Sequence, residues 1–223
     1  MRVIAHRGFA ADAPENTVSA IERASRVADS IEFDVRRCGS GELVVVHDEQ
    51  IDRVTDGTGR VGDLSLSELQ SFKVLGSGES IPTLEDVLAA IPADVDLNVE
   101  LKETDIAGDV LDVLGRVEND CIVSSFSADA LREVRSLDRS VATAFISGRL
   151  RDEPIRRAVE LGCEYVHPRF SLLLYSPLLS RARTVDLDVN VWTVNEPLLA
   201  RAMAWRGVDG IATDAVDVAR PYL

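Results

Sequence analysis

The chain has 223 residues, 46% of them hydrophobic and 28% charged, which excludes a disordered, collagen-like or disulfide-scaffold protein. Its 38 acidic and 24 basic residues give a formal net charge of -14, which disfavours binding to nucleic acid or to an anionic membrane surface. The aliphatic stretches are too short to span a bilayer, and the first residues lack the regions of a signal peptide, so we expect a cytoplasmic protein without membrane insertion.

The basic residues and the cysteines add two expectations about the cellular setting. Lys73 and Lys102 are the only lysines, and every other basic residue is an arginine. An acidic chain that is poor in lysine is typical of a protein from a high-salt cytoplasm, so we expect a halophilic source. The three cysteines form no Cys-x-x-Cys spacing and are expected to be reduced thiols.

Short β-branched runs alternate with amphipathic helical patterns along the whole chain. The runs predict strands at residues 2–5, 30–36, 43–47, 96–101, 122–126, 141–146, 165–167, 189–194 and 208–213. The helical patterns predict helices at residues 17–28, 84–91, 106–117, after Ser127, around 155–161, at 178–183 and at 197–206. Thr83 with Asp86 three residues later is the signature of a helix start, and Pro92 marks that helix's end.

Nine predicted strands are one too many for an eightfold barrel, and the connection at residues 38–42 explains the excess. A parallel crossover needs about a dozen residues or more, so strand 43–47 runs antiparallel to strand 30–36, with the turn at Gly39 and Gly41. Eight parallel strands remain, each followed by a helical pattern, and they predict a TIM (β/α)8 barrel with a β-hairpin after the second strand. The second choice, an open doubly wound sheet, lacks a glycine-rich fingerprint.

Residues 48–80 interrupt this alternation, because they are rich in Gly, Asp, Ser and Thr and hold one short helical pattern at 67–72. We interpret the chain 1–223 as a single domain with a small insertion at about 48–80. The insertion either walls the active site or is, in parts, a flexible surface loop.

Carboxylates stand where barrel enzymes place their chemistry, at the carboxyl ends of strands. Glu32 and Asp34 are two residues apart on one strand, so both point to the barrel interior, and Glu100 ends the next parallel strand. Three carboxylates in a partly buried mouth do not all stay ionised without a cation. Because oxygen ligands suit a hard ion, the pattern predicts one divalent cation, Mg²⁺ or Ca²⁺.

Two histidines end strands beside these carboxylates. His6 ends the first strand, and His47 ends the hairpin arm; a turn centred near Gly39 and Ser40 would place His47 opposite about Glu32. Two imidazoles that flank a metal ion suit general acid–base catalysis near neutral pH. The third histidine, His167, is expected to be a packed core residue or a surface residue.

Arg7 and Lys102 bring positive charge to the same strand ends, where they could bind an anion. The combination of metal, two histidines and two cations suits cleavage of a phosphodiester. Trp192 shares a predicted strand face with Asn190 and Val194, and either contacts the carbon skeleton of a substrate or belongs to the barrel core.

Several motifs resemble the glycerophosphodiester phosphodiesterase family and follow one another in the order found in that family. They are His6-Arg7-Gly8, Pro14-Glu15-Asn16-Thr17, Glu32-Phe33-Asp34-Val35, Val46-His47-Asp48, Asp52-Arg53-Val54-Thr55-Asp56-Gly57-Thr58-Gly59, Ile81-Pro82-Thr83-Leu84, Asn98-Val99-Glu100-Leu101-Lys102, Val191-Trp192-Thr193-Val194-Asn195 and Gly207-Val208-Asp209-Gly210-Ile211-Ala212-Thr213-Asp214. The resemblance therefore covers most of the chain.

The resemblance implies a TIM barrel that hydrolyses glycerophosphodiesters, such as glycerophosphocholine or glycerophosphoethanolamine, to a glycerol phosphate and an alcohol. By the motif match, Glu32, Asp34 and Glu100 would hold the divalent metal. His6 and His47 would be the general acid and base, in an order that the sequence leaves open.

The resemblance also implies that Arg7 and Lys102 bind the phosphate and that Trp192 lines the glycerol side. The expected partner is a small-molecule diester, and a homo-oligomer stays open. One alternative is a non-catalytic barrel that binds glycerophosphodiesters, but no motif residue is missing. Another is a lyase of the sphingomyelinase-D type that acts on choline phospholipids, which the acidic charge balance disfavours.

Overall fold

The computed structural model describes residues 1–223 and contains a closed barrel of eight parallel strands surrounded by helices, as the sequence predicts. The strands are β1 Arg2–His6, β2 Ser30–Arg37, β3 Leu43–Val45, β4 Asp96–Leu101, β5 Cys121–Ser125, β6 Ala142–Ser147, β7 Tyr165–Pro168, β8 Asp188–Val191 and β9 Gly210–Thr213. The barrel closes because β1 pairs with both β2 and β9, so the open doubly wound sheet is wrong.

The ninth strand, β3, is the antiparallel arm of the predicted hairpin. Its register pairs Val35 with Val45, so two further steps would bring position 47 opposite Phe33. The prediction that His47 faces Glu32 is therefore wrong by one residue, because the turn centres on Ser40. Pairing also ends at Val45, so His47 lies beyond the strand.

The helices are α1 Val18–Ala24, α2 Leu66–Ser71, α3 Leu84–Ala89, α4 Ala107–Leu114, α5 Ala128–Leu137, α6 Pro154–Leu161, α7 Phe170–Leu174, α8 Leu178–Arg183, α9 Pro197–Arg206 and α10 Val216–Ala219. Thr83 and Asp86 form the predicted capping box of α3, and Gly207 ends α9 in the left-handed conformation that glycine adopts easily. None of the helices has both the length and the apolar character that crossing a bilayer requires.

Apolar and acidic side chains alternate along β2, so one face of the strand packs in the core and the other faces the barrel interior. Ile31, Phe33 and Val35 are fully buried in a cluster of 28 residues between barrel and helices. Each such side chain stabilises the fold by about 1.5–3 kcal/mol relative to exposure. Glu32 and Asp34 point the other way, into the barrel, so one strand supplies both the packing and the carboxylates.

The insertion shares a hydrophobic cluster with the hairpin, separate from the two larger cores. Five of its nine buried residues come from the insertion, among them Ile51, Val61 and Leu69, and Val44 of β3 is one of the others. This packing favours the first of the two readings, an ordered segment beside the barrel mouth. Arg53 extends from it toward the barrel.

Candidate active site at the barrel mouth

A cavity of about 240 Å³ opens at the carboxyl ends of the strands. Of the eight site residues predicted from the sequence, six line it: His6, Arg7, Glu32, His47, Glu100 and Trp192. Asp34 and Lys102 contact these residues from the side, because Lys102 Nζ lies 3.4 Å from Asp34 Oδ1 and Arg7 Nε lies 3.2 Å from Asp34 Oδ2. The structure therefore brings all eight residues together.

The three predicted metal ligands meet at one point. One oxygen atom each of Glu32, Asp34 and Glu100 lies within 4.8 Å of the others, and all three residues are buried. They meet because β2 and β4 are parallel neighbours whose register places Asp34 directly beside Glu100. Since the inward side chains of neighbouring strands stack, the two-residue spacing in β2 brings Glu32 to the same place.

The electrostatics of this cluster favour a cation. Burial and the charge of Asp34 raise the pKa of Glu32 to about 7 and also raise the pKa of Glu100. Burial acts on Asp34 as well, but Lys102 and Arg7 hold its pKa below the usual range. Its Oδ1 atom is buried without a hydrogen-bond partner. Three close oxygens, one of them unsatisfied, fit a hard divalent ion, which would keep all three carboxylates ionised.

His6 is held by a carboxylate that the sequence reasoning did not assign. Its Nδ1 lies 2.5 Å from Asp214 Oδ1, and its Nε2 lies 3.8 Å from Glu32 Oε2. Burial disfavours the imidazolium, but the charge of Glu32 and the bond to Asp214 outweigh it and raise the pKa of His6. Asn195 Nδ2 donates to Asp214 Oδ2 at 2.6 Å, so Asp214 is itself oriented.

His47, which also lines the cavity, forms a second pair with an aspartate. Its Nδ1 lies 2.6 Å from Asp48 Oδ1, and Arg53 Nε donates to Asp48 Oδ2 at 2.5 Å. Burial opposes ionisation of Asp48, but the hydrogen bonds from Arg53 and His47 hold its pKa at about 2. Burial lowers the pKa of His47. Both histidines are thus fixed through Nδ1.

The two predicted phosphate-binding cations are paired with carboxylates. Arg7 Nη1 donates to Glu15 Oε1 at 2.9 Å, in addition to its contact with Asp34. Lys102 Nζ lies 2.5 Å from Glu100 Oε1. Arg53 from the insertion contacts both Glu15 oxygens at 2.7 and 2.8 Å, so the insertion and the barrel share one ionic network.

Trp192 lines the cavity and packs edge-to-face on Phe126, with ring centroids 5.6 Å apart. Its indole Nε1 donates to the carbonyl oxygen of His167 at 2.7 Å. The strand face predicted for Val194 is wrong, because β8 ends at Val191 and the alternation ends with it. Val194 instead belongs to the core between barrel and helices.

Sequence reasoning missed several residues that complete the site. Asp214 directly follows β9 at the carboxyl end of the strand, the end of the barrel at which the other site residues lie, so its place in the chain was an available signal. Arg53 lies in one of the motifs that resemble the family, but no role could be assigned to it, because its contacts depend on how the insertion folds. His167 is buried in the barrel interior, which confirms the first of its two predicted positions, and it also lines the cavity.

Comparison with known proteins gives concordant matches over nearly the whole chain. The model of the glycerophosphoryl diester phosphodiesterase family matches residues 6–218. The chain is 36% identical to the protein YhdW of Bacillus subtilis, over 97% of this chain and 96% of that protein. It is 33% identical to the glycerophosphodiester phosphodiesterase of Caldanaerobacter subterraneus, over 95% and 93% of the two chains.

Solved structures agree with these matches. A glycerophosphodiester phosphodiesterase from Thermotoga maritima superposes with a TM-score of 0.86 at 28% identity, over 100% of this chain and 98% of that chain. An Oleispira antarctica phosphodiesterase in complex with the product sn-glycerol-3-phosphate superposes with a TM-score of 0.88 at 27% identity, over 96% and 93% of the chains.

Proposed function

The chain belongs to the glycerophosphoryl diester phosphodiesterase family, whose enzymes hydrolyse glycerophosphodiesters, and we propose that its barrel mouth is the active site. The proposal assigns one divalent cation, Mg²⁺ or Ca²⁺, to Glu32, Asp34 and Glu100. The observation that carries it is the meeting of these buried carboxylates within 4.8 Å, between two histidine–aspartate pairs. The substrates are diesters such as glycerophosphocholine and glycerophosphoethanolamine.

The charged residues of the mouth bind and polarise the phosphate. A bound divalent cation supplies positive charge that stabilises the negative charge developing on the phosphoryl oxygens. Arg7 and Lys102 donate hydrogen bonds to the same oxygens, in exchange for part of their present contacts with carboxylates. Trp192 packs against the carbon atoms of the glycerol.

His6 and His47 move the protons. Each is fixed at Nδ1 by an aspartate, which leaves Nε2 for the reacting atoms. One imidazole removes the proton from the attacking hydroxyl as its oxygen bonds to phosphorus. The other donates a proton to the alkoxide as the phosphorus–oxygen bond breaks, and water supplies the net hydroxyl and proton.

The attacking hydroxyl belongs either to water or to the glycerol of the substrate. Attack by the glycerol hydroxyl forms a cyclic phosphate, which water then opens. Phosphorus NMR during turnover distinguishes the two routes, because only attack by the glycerol hydroxyl produces a transient cyclic phosphodiester.

The decisive experiment measures glycerol phosphate released from glycerophosphocholine before and after treatment with EDTA. We expect activity to disappear and to return when Mg²⁺ or Ca²⁺ is restored, and the better ion identifies the metal. Activity that is insensitive to chelation overturns the metal assignment. Release of free choline without glycerol phosphate would instead support a lyase. A separate comparison of rates on several glycerophosphodiesters defines the head-group preference.

A further inference from the structure

The motif Pro14-Glu15-Asn16-Thr17 leads from β1 into α1, and the proposed mechanism uses none of its residues. Asn16 is only 3% exposed, and its backbone φ angle of +58° lies in the left-handed region, which asparagine adopts more readily than most residues. Its backbone N–H donates to the carbonyl oxygen of Arg7 at 3.0 Å. The position of Asn16 is therefore fixed from the residue that directly follows β1.

The side chain of Asn16 reaches the proposed metal ligand Asp34. Its Nδ2 donates to Asp34 Oδ2 at 3.0 Å, and both residues are buried. This contact fixes the orientation of the amide, because a carboxylate only accepts hydrogen bonds. The amide oxygen is left buried without a partner. Such an oxygen lowers the stability of the fold, so stability alone does not account for an asparagine at this position.

The cations beside Asp34 hold its carboxylate less firmly than Asn16 does. Arg7 Nε lies 3.2 Å from Oδ2 but forms no aligned hydrogen bond, and Lys102 Nζ lies 3.4 Å from Oδ1. The proposed function also assigns both cations to the phosphate, which draws them away from the carboxylate. Asn16 is neutral, and its Nδ2 has no other acceptor, so its hydrogen bond to Oδ2 remains when the cations turn to the substrate.

We propose that Asn16 is a positioning residue of the metal site, which holds Asp34 Oδ2 and thereby keeps the other oxygen, Oδ1, available to the cation. The inference rests on the proposed function, which assigns the cation to Asp34 with Glu32 and Glu100. Residues that orient a metal ligand through a hydrogen bond typically contribute about 10- to 100-fold to metal affinity or activity. The effect of Asn16 should therefore be visible in metal binding itself.

The test measures metal binding without substrate, so it does not depend on turnover. After removal of bound metal with EDTA and dialysis, the wild type and Asn16→Gly are titrated with Mg²⁺ and with Ca²⁺ in a calorimeter. Glycine adopts the left-handed backbone conformation easily, so this variant removes the amide without straining the chain. We expect Asn16→Gly to bind the ion about 10- to 100-fold more weakly than the wild type.

Thr17→Val is the matched control from the same segment. Thr17 is buried, and its hydroxyl caps α1 by accepting the amide proton of Ala20, but it forms no hydrogen bond with Asp34. Urea unfolding should show that Thr17→Val is less stable than the wild type, because the cap is lost. Its metal affinity should be unchanged, which separates a loss of positioning from a loss of stability.

The dependence of activity on metal concentration gives a second readout. In Asn16→Gly the metal concentration at half-maximal activity should rise by the same factor as the dissociation constant, and saturating metal should restore most of kcat. Metal affinity equal to that of the wild type overturns the inference, and so does an equal loss of affinity in Thr17→Val. Asn16→Ser answers the question if Asn16→Gly does not fold, because the serine side chain is one bond too short for the contact with Asp34.

The same titration separates the failure of this inference from the failure of the proposed function. A wild type that binds the ion more tightly than Asn16→Gly, but hydrolyses no glycerophosphodiester, supports the role of Asn16 and overturns the hydrolase. Turnover of a diester together with equal metal affinity in the two proteins does the opposite. A wild type that binds neither ion overturns both the metal assignment and the role of Asn16.

Discussion

The mouth and the floor of the barrel cavity bury polar groups in opposite ways. At the mouth, Glu32, Asp34 and Glu100 lie among cations, and their pKa values move in different directions because each charge depends on the others. On the floor, which is formed by the buried residues Asn98, Ser124, His167 and Asn190, burial holds His167 neutral, and its imidazole Nε2 lies 3.2 Å from the amide Nδ2 of Asn190. The contrast teaches that charge is concentrated at the proposed active site, while the barrel interior below it buries uncharged polar groups. Variants at the mouth should therefore change the chemical step, and variants on the floor should change stability.

The histidines of the mouth give the largest expected effect. His6→Ala and His47→Ala should each lower kcat by about 10²–10⁴-fold, because each removes a proton-transfer group. Steady-state rates of glycerol phosphate release with saturating metal measure this. A fall smaller than about tenfold for either variant would remove the general acid–base role from that residue.

Substitution of Asp214, the aspartate that contacts His6 Nδ1, should give the second-largest loss of activity. Asp214→Asn keeps the shape but removes the charge, and should lower kcat by about 10²-fold, as loss of an orienting carboxylate does in related arrangements. Because Asp214 helps to raise the pKa of His6, the limb of the pH–rate profile that reports His6 should move to lower pH. Asn195→Ala disturbs only the orientation of Asp214 and should have a smaller effect. An unshifted profile would contradict the role of Asp214.

On the floor, the buried residue His167 should affect the pH dependence of the free energy of unfolding. The pKa of His167 is about 3 when folded and about 6.5 when unfolded, so the unfolded chain binds one more proton between these values. Stability that is present above pH ~6.5 is thus lost as the pH falls, by about 2 kcal/mol at pH ~5.

Urea unfolding at both pH values measures this loss in the wild type and in His167→Asn. The variant lacks the titrating group and should lose about 2 kcal/mol less on acidification. The same loss in both proteins would show that His167 is not held neutral.

The rim of the mouth should give the smallest effect. Arg53 is half-exposed, and its ion pairs with Glu15 and Asp48 are open to screening by salt. Arg53→Ala should lower kcat/KM by less than about tenfold, and the difference should shrink in about 1 M salt. A larger loss that salt does not change would show that Arg53 acts on the substrate itself.

The sequence predicted the parts of the structure that depend on local periodicity. The alternation in β2 placed Glu32 and Asp34 inside the barrel, and the short connection before β3 identified the hairpin. The exact register of that hairpin was missed, because Leu43, Val44, Val45 and Val46 are all apolar and show no alternation that would fix it.

The missing parts of the site depend on contacts between residues far apart in the chain. Asp214 reaches His6 only because the barrel closes between β9 and β1. His167 meets Asn190 only because β7 lies beside β8 in the barrel. His167 belongs to no repeating pattern of polar residues in the sequence, so the sequence alone does not identify its contact with Asn190.

The short arm β3 has a consequence for how copies of this protein meet. It is the one strand that ends the sheet, and such a strand can pair with a neighbouring molecule and start aggregation. Its outer side is already occupied, because Val45 donates its amide proton to the carbonyl oxygen of Pro82 at 2.9 Å and Val44 forms a bridge with Thr83. The segment before α3 therefore covers the outer edge of β3. Edge-to-edge pairing between two copies of the protein is not expected, even at high protein concentration.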